Sequence, residues 1–264
     1  MLNERRGGGR KTSEKLDNIS PNKVISVEVT QMRDTLYSVS GVPRKLALLA
    51  DFHNRPNMAI LPSLRAHAPS LILIAGDVVY GRDPLDRQIH VLPFLKDCAA
   101  IAPTFMALGN HEQNLTAKEI KEIKRSGVIV VDNNWREIDG ILIGGLTSAH
   151  VTDRRGGKKD RVPETKWLER FAAVPGYHIL LSHHPEYLPF ISTDIDLILS
   201  GHAHGGQWRF FGRGVYAPGQ GWWPKLTKGL YDNRMIVSAG LSNTVRCVPR
   251  IFNPTEIVYV VPEK

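Results

Sequence analysis

The chain has 264 residues, 42% of them hydrophobic and 23% charged, enough apolar material for one substantial α/β core. Its apolar runs, such as 71-LILIAG-76, fall well short of the ~20 residues that a membrane-spanning helix requires. A formal net charge of +8 is compatible with an anionic substrate, a nucleic acid or an acidic membrane face, and does not choose among them.

Residues 1–22 are basic, polar and without apolar periodicity, and read as a disordered arm ahead of one domain over 23–264. They lack the apolar stretch of an export signal, so the expected location is the cytoplasm, with the inner membrane face as a peripheral site. Cys98 and Cys247 have no paired spacing and read as reduced thiols.

The first expected strand is 24-VISVEVT-30, whose alternation suits a sheet edge. Five continuous apolar runs follow: 45-KLALLAD-51, 71-LILIAGD-77, 104-TFMALGNH-111, 177-YHILLSHH-184 and 195-IDLILSGHAH-204. Runs of this kind fit strands buried on both faces. Between them, helical spacing predicts helices over 58–67, 85–99, 116–126 and 163–172, with Thr116 and Glu119 as a capping box. The stretch 135–149 predicts a hairpin turning at Asp139-Gly140. The segments 234–240 and 256–262 read as strands of a second sheet. Strands alternating with helices indicate a layered α/β fold.

Every one of the five runs delivers metal-capable residues at its carboxyl end: Asp51 and His53, then Asp77, Asn110 with His111, His183, and finally His202 and His204. Ligands of open α/β sheets bind outside those strand ends. Alternate residues of an extended segment share a face, which pairs Asp51 with His53 and His202 with His204. With His111 set aside, the donors are four imidazoles, two carboxylates and one amide oxygen. That is too many for one zinc with its ~four ligands, and it suits two divalent metal ions sharing a carboxylate. Mixed nitrogen and oxygen donors without a thiolate favour Mn²⁺, Fe or Zn²⁺ over Mg²⁺ or Ca²⁺, and Mn²⁺ is the ion expected. His67, His90, His150 and His178 lack such placement and read as structural or solvated.

The ordered series Asp51-Phe-His53, Gly76-Asp77, Gly109-Asn110-His111-Glu112, His183 and Gly201-His202-Ala203-His204 resembles the calcineurin-like metallophosphoesterase superfamily. Segments 205–231 and 234–244 resemble its bacterial YkuE/YaeI-type phosphohydrolase subgroup, so the likeness runs over residues 24–262. The resemblance implies a four-layer α/β/β/α sandwich with two mixed sheets, with 23–264 as its catalytic domain. One ion would take Asp51, His53 and His204, the other Asn110, His183 and His202, and Asp77 would bridge both. His111 would touch the scissile phosphate and protonate the leaving oxygen, with Glu112 expected to orient it. The implied reaction is hydrolysis of a phosphomonoester or phosphodiester by a hydroxide that the two ions share.

Tyr80 stands where the protein Ser/Thr phosphatase branch carries an aspartate, which argues against a protein phosphatase. His184 stands where the subgroup often has asparagine; His183 is preferred as the ligand because it follows the Leu-Ser strand end directly. The substrate is expected to be a phosphorylated small molecule or a lipid-linked phosphate, with a pyrophosphatase cutting a nucleotide-sugar lipid of the UDP-diacylglucosamine type as the alternative. A nuclease is disfavoured, because no helix-turn-helix, zinc finger or strand-borne aromatic platform is recognisable. A non-enzymatic scaffold is disfavoured because every ligand position is filled. The aromatic and basic stretch 208–225 has two readings: a loop packed on the sheet, or a rim for peripheral membrane contact. The charge run Arg154, Arg155, Lys158 and Lys159 reads as a solvated loop.

Overall fold

A computed structural model of the chain describes residues 32–149, 162–191, 194–243 and 248–263. The arm over 1–22, the strand over 24–30, the charge run, His150 and Cys247 lie outside those residues.

The first half of the chain alternates strand and helix. Strands β1 (Arg33–Val39), β2 (Leu46–Leu49), β3 (Leu71–Ile74), β4 (Thr104–Ala107) and β5 (Ile129–Val131) are joined from β2 onward by α1 (Ile60–His67), α2 (Val91–Ile101) and α3 (Ala117–Arg125). Then come β6 (Asn134–Ile138), β7 (Ile141–Leu146), α4 (Lys166–Ala172), β8 (Tyr177–Ser182) and β9 (Leu197–Ser200). Two ribbons of two-residue strands follow, β10 (Arg209–Phe210) with β11 (Arg213–Gly214), and β12 (Tyr216–Ala217) with β13 (Gly221–Trp222). The chain closes with β14 (Gly229–Tyr231), β15 (Met235–Val237) and β16 (Glu256–Pro262).

These strands build two six-stranded sheets, ordered β1-β16-β2-β3-β4-β5 and β14-β15-β9-β8-β7-β6. Strands β2 to β5 run parallel, as do β7, β8, β9 and β15, while β16 is antiparallel to β2 and both edges of the second sheet are antiparallel. Leu46, Leu48, Leu71 and Phe105 of the first sheet share a core with Ile143, Ile179, Leu197 and Ile236 of the second. The far face of the first sheet packs on Leu64, Leu95 and Ile123 of its helices. The far face of the second packs on Trp167 and Phe171 of α4. The result is the expected four layers. A fully buried aliphatic side chain of this kind stabilises the fold by about 1.5–3 kcal/mol, which is why strands such as Leu-Ile-Leu-Ile belong inside.

Two expectations need correction. The segment 256–262 does not join the second sheet: β16 inserts between β1 and β2 of the first, and the second sheet instead begins at the β6–β7 hairpin. The helix expected over 85–99 divides into a single 3₁₀ turn, Leu85–Arg87, and α2 starting at Val91. Pro93 explains the late start, since it is tolerated only within the first turn, where amides have no intrahelical partner. Gln88 ends the 3₁₀ turn, accepting from Tyr80 N at 2.6 Å and donating to Asp83 O at 2.6 Å.

Elsewhere local chemistry and structure agree. The capping box is formed, with Thr116 Oγ1 accepting from Glu119 N and Glu119 Oε2 accepting from Thr116 N. Asp139 (φ 49°) and Gly140 (φ 77°) turn the hairpin in left-handed conformations, as two-residue loops require. His67 stacks on Tyr259 at 3.9 Å, and His178 Nε2 donates to Phe171 O, so both serve packing. Cys98 is a free, buried thiol. Among the described residues, no helix is long and apolar enough to cross a membrane.

Candidate metal centre

Strands β2, β3 and β4 are neighbours in one sheet, and β8 and β9 are neighbours in the other. Because the sheets lie face to face, the turns that leave these five strands meet. There the structure brings together Asp51, His53 and His204 in one group and Asp77, His183 and His202 in a second, each with donor atoms within 4.8 Å of one another. Asp77 lies between them. Its Oδ2 is 3.0 Å from His183 Nε2, 3.8 Å from His111 Nε2 and 3.9 Å from His53 Nε2. Asp51 Oδ1 is 3.7 Å from both His53 Nε2 and His204 Nε2.

The backbone is bent to make this possible. Asp51 (φ 57°), His53 (φ 50°), Asp77 (φ 55°), His202 (φ 64°) and His204 (φ 46°) all adopt the left-handed region, which costs a non-glycine residue about 1–3 kcal/mol. Such strain persists only where the surroundings over-determine it. Two glycines allow the turns to close: a Cβ on Gly109 would sit 2.2 Å from Asp77 Oδ1, and one on Gly201 would sit 2.6 Å from the Ala50 Cβ.

The imidazoles are aimed by the other ring nitrogen. His53 Nδ1 donates to Val79 O at 3.1 Å and His183 Nδ1 to Ala75 O at 2.7 Å, which turns each Nε2 towards the carboxylates. His184, by contrast, turns its Nδ1 to Glu186 at 3.0 Å and packs against His202 with the rings tilted by 46°. His111 differs again. Its Nδ1 accepts from Gly81 N–H at 2.7 Å, so the network assigns the ring proton to Nε2, on the side of Asp77. Its side chain is 25% exposed, against 0–9% for the side chains of His53, His183, His202 and His204. Tyr80 lies near its open side, ring centroids 5.9 Å apart.

Whether cations fit can be judged from atoms left without hydrogen bonds. His53 Nε2, Asn110 Oδ1 and His202 Nε2 are buried and unpartnered, although buried polar atoms are almost always paired. Charge points the same way. Burial opposes ionisation of Asp51, yet His204, His53 and His183 outweigh it and hold its carboxyl at about 2. Asp77 is also driven below the ordinary range, burial being overcome chiefly by His183. Burial keeps His204 neutral, down at about 3, and His202 neutral as well. Burial disfavours the charge on His183 too, but Asp77 overrides it and lifts the ring to about 10. One imidazolium thus stands in for positive charge that the carboxylates demand, and a cation would displace its proton. The donor set fits two divalent ions.

Sequence reasoning missed the supports. Glu112 does not hold the His111 ring; it is a buried hub whose Oε2 accepts from Asp77 N and Gly109 N, and whose Oε1 accepts from Val78 N and Val79 N, all at 2.8–3.1 Å. Burial and the Asp77 carboxylate push it up to about 7 against those donors. From the C-terminal region, Ser242 Oγ donates to Asp51 O, Asn253 Nδ2 donates to His204 O, and Arg250 Nη2 donates to Ser242 O. A polar residue inside an otherwise apolar stretch was the available signal for Asn253 and for Glu256, which heads the apolar β16 and accepts from Ala239 N.

Two facing sheets thus carry histidine and aspartate groups able to hold metal ions at their joined strand ends. The chain belongs to the calcineurin-like phosphoesterase family, whose pattern it matches over residues 44–206. It is 28% identical over 249 residues to the metallophosphoesterase Cj0846 of Campylobacter jejuni, an alignment covering 89% of this chain and 61% of that protein. The chain therefore spans less than two thirds of that relative's length. Phosphodiesterase YaeI of Escherichia coli is 27% identical over 195 residues, 69% of this chain and 68% of its own. Among solved structures, a 5'-nucleotidase precursor from Thermus thermophilus aligns with a TM-score of 0.44 at 18% identity, over 64% of this chain and 43% of that one.

Proposed function

We propose that Asp51, His53 and His204 hold one divalent ion, that Asn110, His183 and His202 hold a second, and that Asp77 bridges them. The observation that carries this reading is the set of buried, unpartnered donor atoms around the Asp77 carboxylate. Mn²⁺ is the ion proposed first, with Fe and Zn²⁺ equally compatible with the mixed nitrogen and oxygen donors. When bound, such a pair lowers the pKa of water and neutralises charge on a phosphate. His183 is preferred to His184 because its Nε2 faces Asp77 while its Nδ1 is held by a carbonyl.

The remaining chemistry falls to His111. Its exposed edge is open to substrate, and the Gly81 amide keeps the proton on Nε2, from which it is offered to the leaving oxygen. Donation from this neutral ring would leave an imidazolate, so the ring first takes a second proton from solvent at Nδ1, which turns the Gly81 amide away; passing the Nε2 proton to the leaving oxygen then returns the ring to neutral. The substrate is a phosphomonoester or phosphodiester of a small molecule. A lipid-linked diphosphate is the second reading, favoured by the exposed aromatic residues that follow His204.

Hydrolysis of p-nitrophenyl phosphate and of its bis ester by the Mn²⁺-loaded protein tests the reading. Asp77→Asn keeps the size of the side chain and its tolerance of a left-handed backbone, so a loss of at least ~10²-fold in turnover is expected, from the missing bridging charge. Turnover in that variant equal to the wild type would refute the assignment.

A further inference from the structure

The two short ribbons after His204 end in aromatic side chains that nothing among the described residues covers. Phe211 is fully exposed at 104%, Phe252 at 77%, Trp223 at 72% and Trp222 at 66%. They are not scattered. Phe210 meets Phe252 edge-on at 5.9 Å, and Trp222 meets Tyr216 at 5.4 Å. One shallow cleft is lined by Arg209, Phe210, Phe211 and Phe252 and a second by Arg209, Arg213, Trp223 and Lys225, so the two clefts adjoin at Arg209.

Folding gives no reason for these rings. Phe211 (φ 50°), Trp223 (φ 56°) and Phe252 (φ 51°) all hold left-handed backbone conformations, where glycine or asparagine would be cheaper and a bulky aromatic is an outlier. Three large side chains thus sit where the backbone disfavours them and solvent surrounds them. Charge supplies the second observation. Residues 205–231 contain no aspartate or glutamate and four basic residues. Arg209 is spent internally on Gly205 O, Thr227 Oγ1 and Gly212 O, and Lys228 pairs with Glu256. Arg213 and Lys225 are exposed beside the rings.

We propose that this surface docks on an anionic phospholipid bilayer, with Phe211, Phe252, Trp222 and Trp223 entering the headgroup boundary and Arg213 and Lys225 meeting lipid phosphates. Aromatic rings at loop tips with cations at their margin are the chemistry of an interfacial anchor, and a fluid bilayer demands no shape complement from them. The surface is also coupled to the candidate centre, because Arg209 Nη1 grips Gly205 O directly after His204. Docking would therefore bring the strand-end turns to the membrane plane. This last step rests on the phosphohydrolase reading; the docking itself does not.

The test is co-sedimentation of the full chain, loaded with Mn²⁺, with vesicles of phosphatidylcholine mixed with phosphatidylglycerol and with vesicles of phosphatidylcholine alone. The wild type is expected to bind the mixed vesicles, with a blue shift of tryptophan emission, and to lose binding as salt screens the cations. The double variant Phe211→Asn/Phe252→Asn is expected to lose at least ~10-fold in partition while its melting temperature holds or rises, since asparagine suits both backbones. Asp77→Asn should sediment like the wild type. Failure of the wild type to bind mixed vesicles, equal binding by the double variant, or capture of a second protein chain by this face instead would overturn the proposal. Hydrolysis of soluble esters by the double variant separates that failure from a failure of the catalytic reading.

Discussion

Glu112 accepts four backbone amides from two different turns, and that geometry makes its identity hard to replace. Three of the amides belong to Asp77, Val78 and Val79 after β3, and one to Gly109 after β4. A glutamine would keep the shape but convert one oxygen into a donor, so either orientation leaves two buried N–H groups facing an NH₂. Each such conflict costs about 1–3 kcal/mol. Glu112→Gln should therefore lower the unfolding free energy by several kcal/mol in urea titrations run with chelator, where metal binding plays no part. A variant within about 0.5 kcal/mol of the wild type would show that the hub is decorative, since that is the range of neutral surface changes. The sequence displayed the glutamate beside His111 and so suggested a partnership with it. What it could not display was the β3 turn, more than 30 residues earlier in the chain, that the carboxylate actually holds.

At the scale of elements, the strand ends were legible and their pairing was not. Apolar runs ending in Asp, Asn or His announce buried strands with functional turns, and all five meet as expected. The place of β16 depends on a contact spanning about 200 residues, between Tyr259 and Ala47. Its composition nevertheless carries a hint, because 256-EIVYVV-261 is apolar on both faces and its first five residues are buried, whereas the edge strand β1 alternates in exposure. Only an interior strand needs two apolar faces. The turns themselves invite a test of close packing. Gly109 has no unusual φ, so alanine is conformationally acceptable there, yet its Cβ would fall 2.2 Å from Asp77 Oδ1 and 2.7 Å from Asp77 N. Gly109→Ala is expected to displace Asp77 and weaken metal retention by at least ~10-fold. Elemental analysis after dialysis reads this directly, and wild-type stoichiometry at limiting Mn²⁺ would contradict it.

For the whole molecule, the consequence is that the centre acts as a joint between the sheets. In the proposed set the first sheet would contribute Asp51, His53, Asp77 and Asn110, and the second His183, His202 and His204. At the centre itself, without cations, the contacts between the two sheets are His183 on Asp77, His202 N donating to Asp51 and the longer approach of His204 to Asp51, while Arg44–Asp139 and Lys228–Glu256 link the sheets elsewhere. Two ions would replace these with bonds to both sheets at once, and they bind the folded state alone because the donors converge only there. An ion present at ~100 times its dissociation constant adds about 2.7 kcal/mol, which for a chain of this size raises the melting temperature by roughly 5–10 °C. Chelation, which strips both ions, should therefore lower the melting temperature by about twice that, roughly 10–20 °C, and Mn²⁺ should restore it. The loosening should also be local. Amide exchange is expected to quicken in the turns after β2, β3, β4, β8 and β9, while the ribbons at 209–222, which hold none of the proposed ligands, keep their rates. Unchanged melting on chelation, or a speeding of exchange spread evenly over both sheets, would mean that the sheets hold together through their shared apolar core alone.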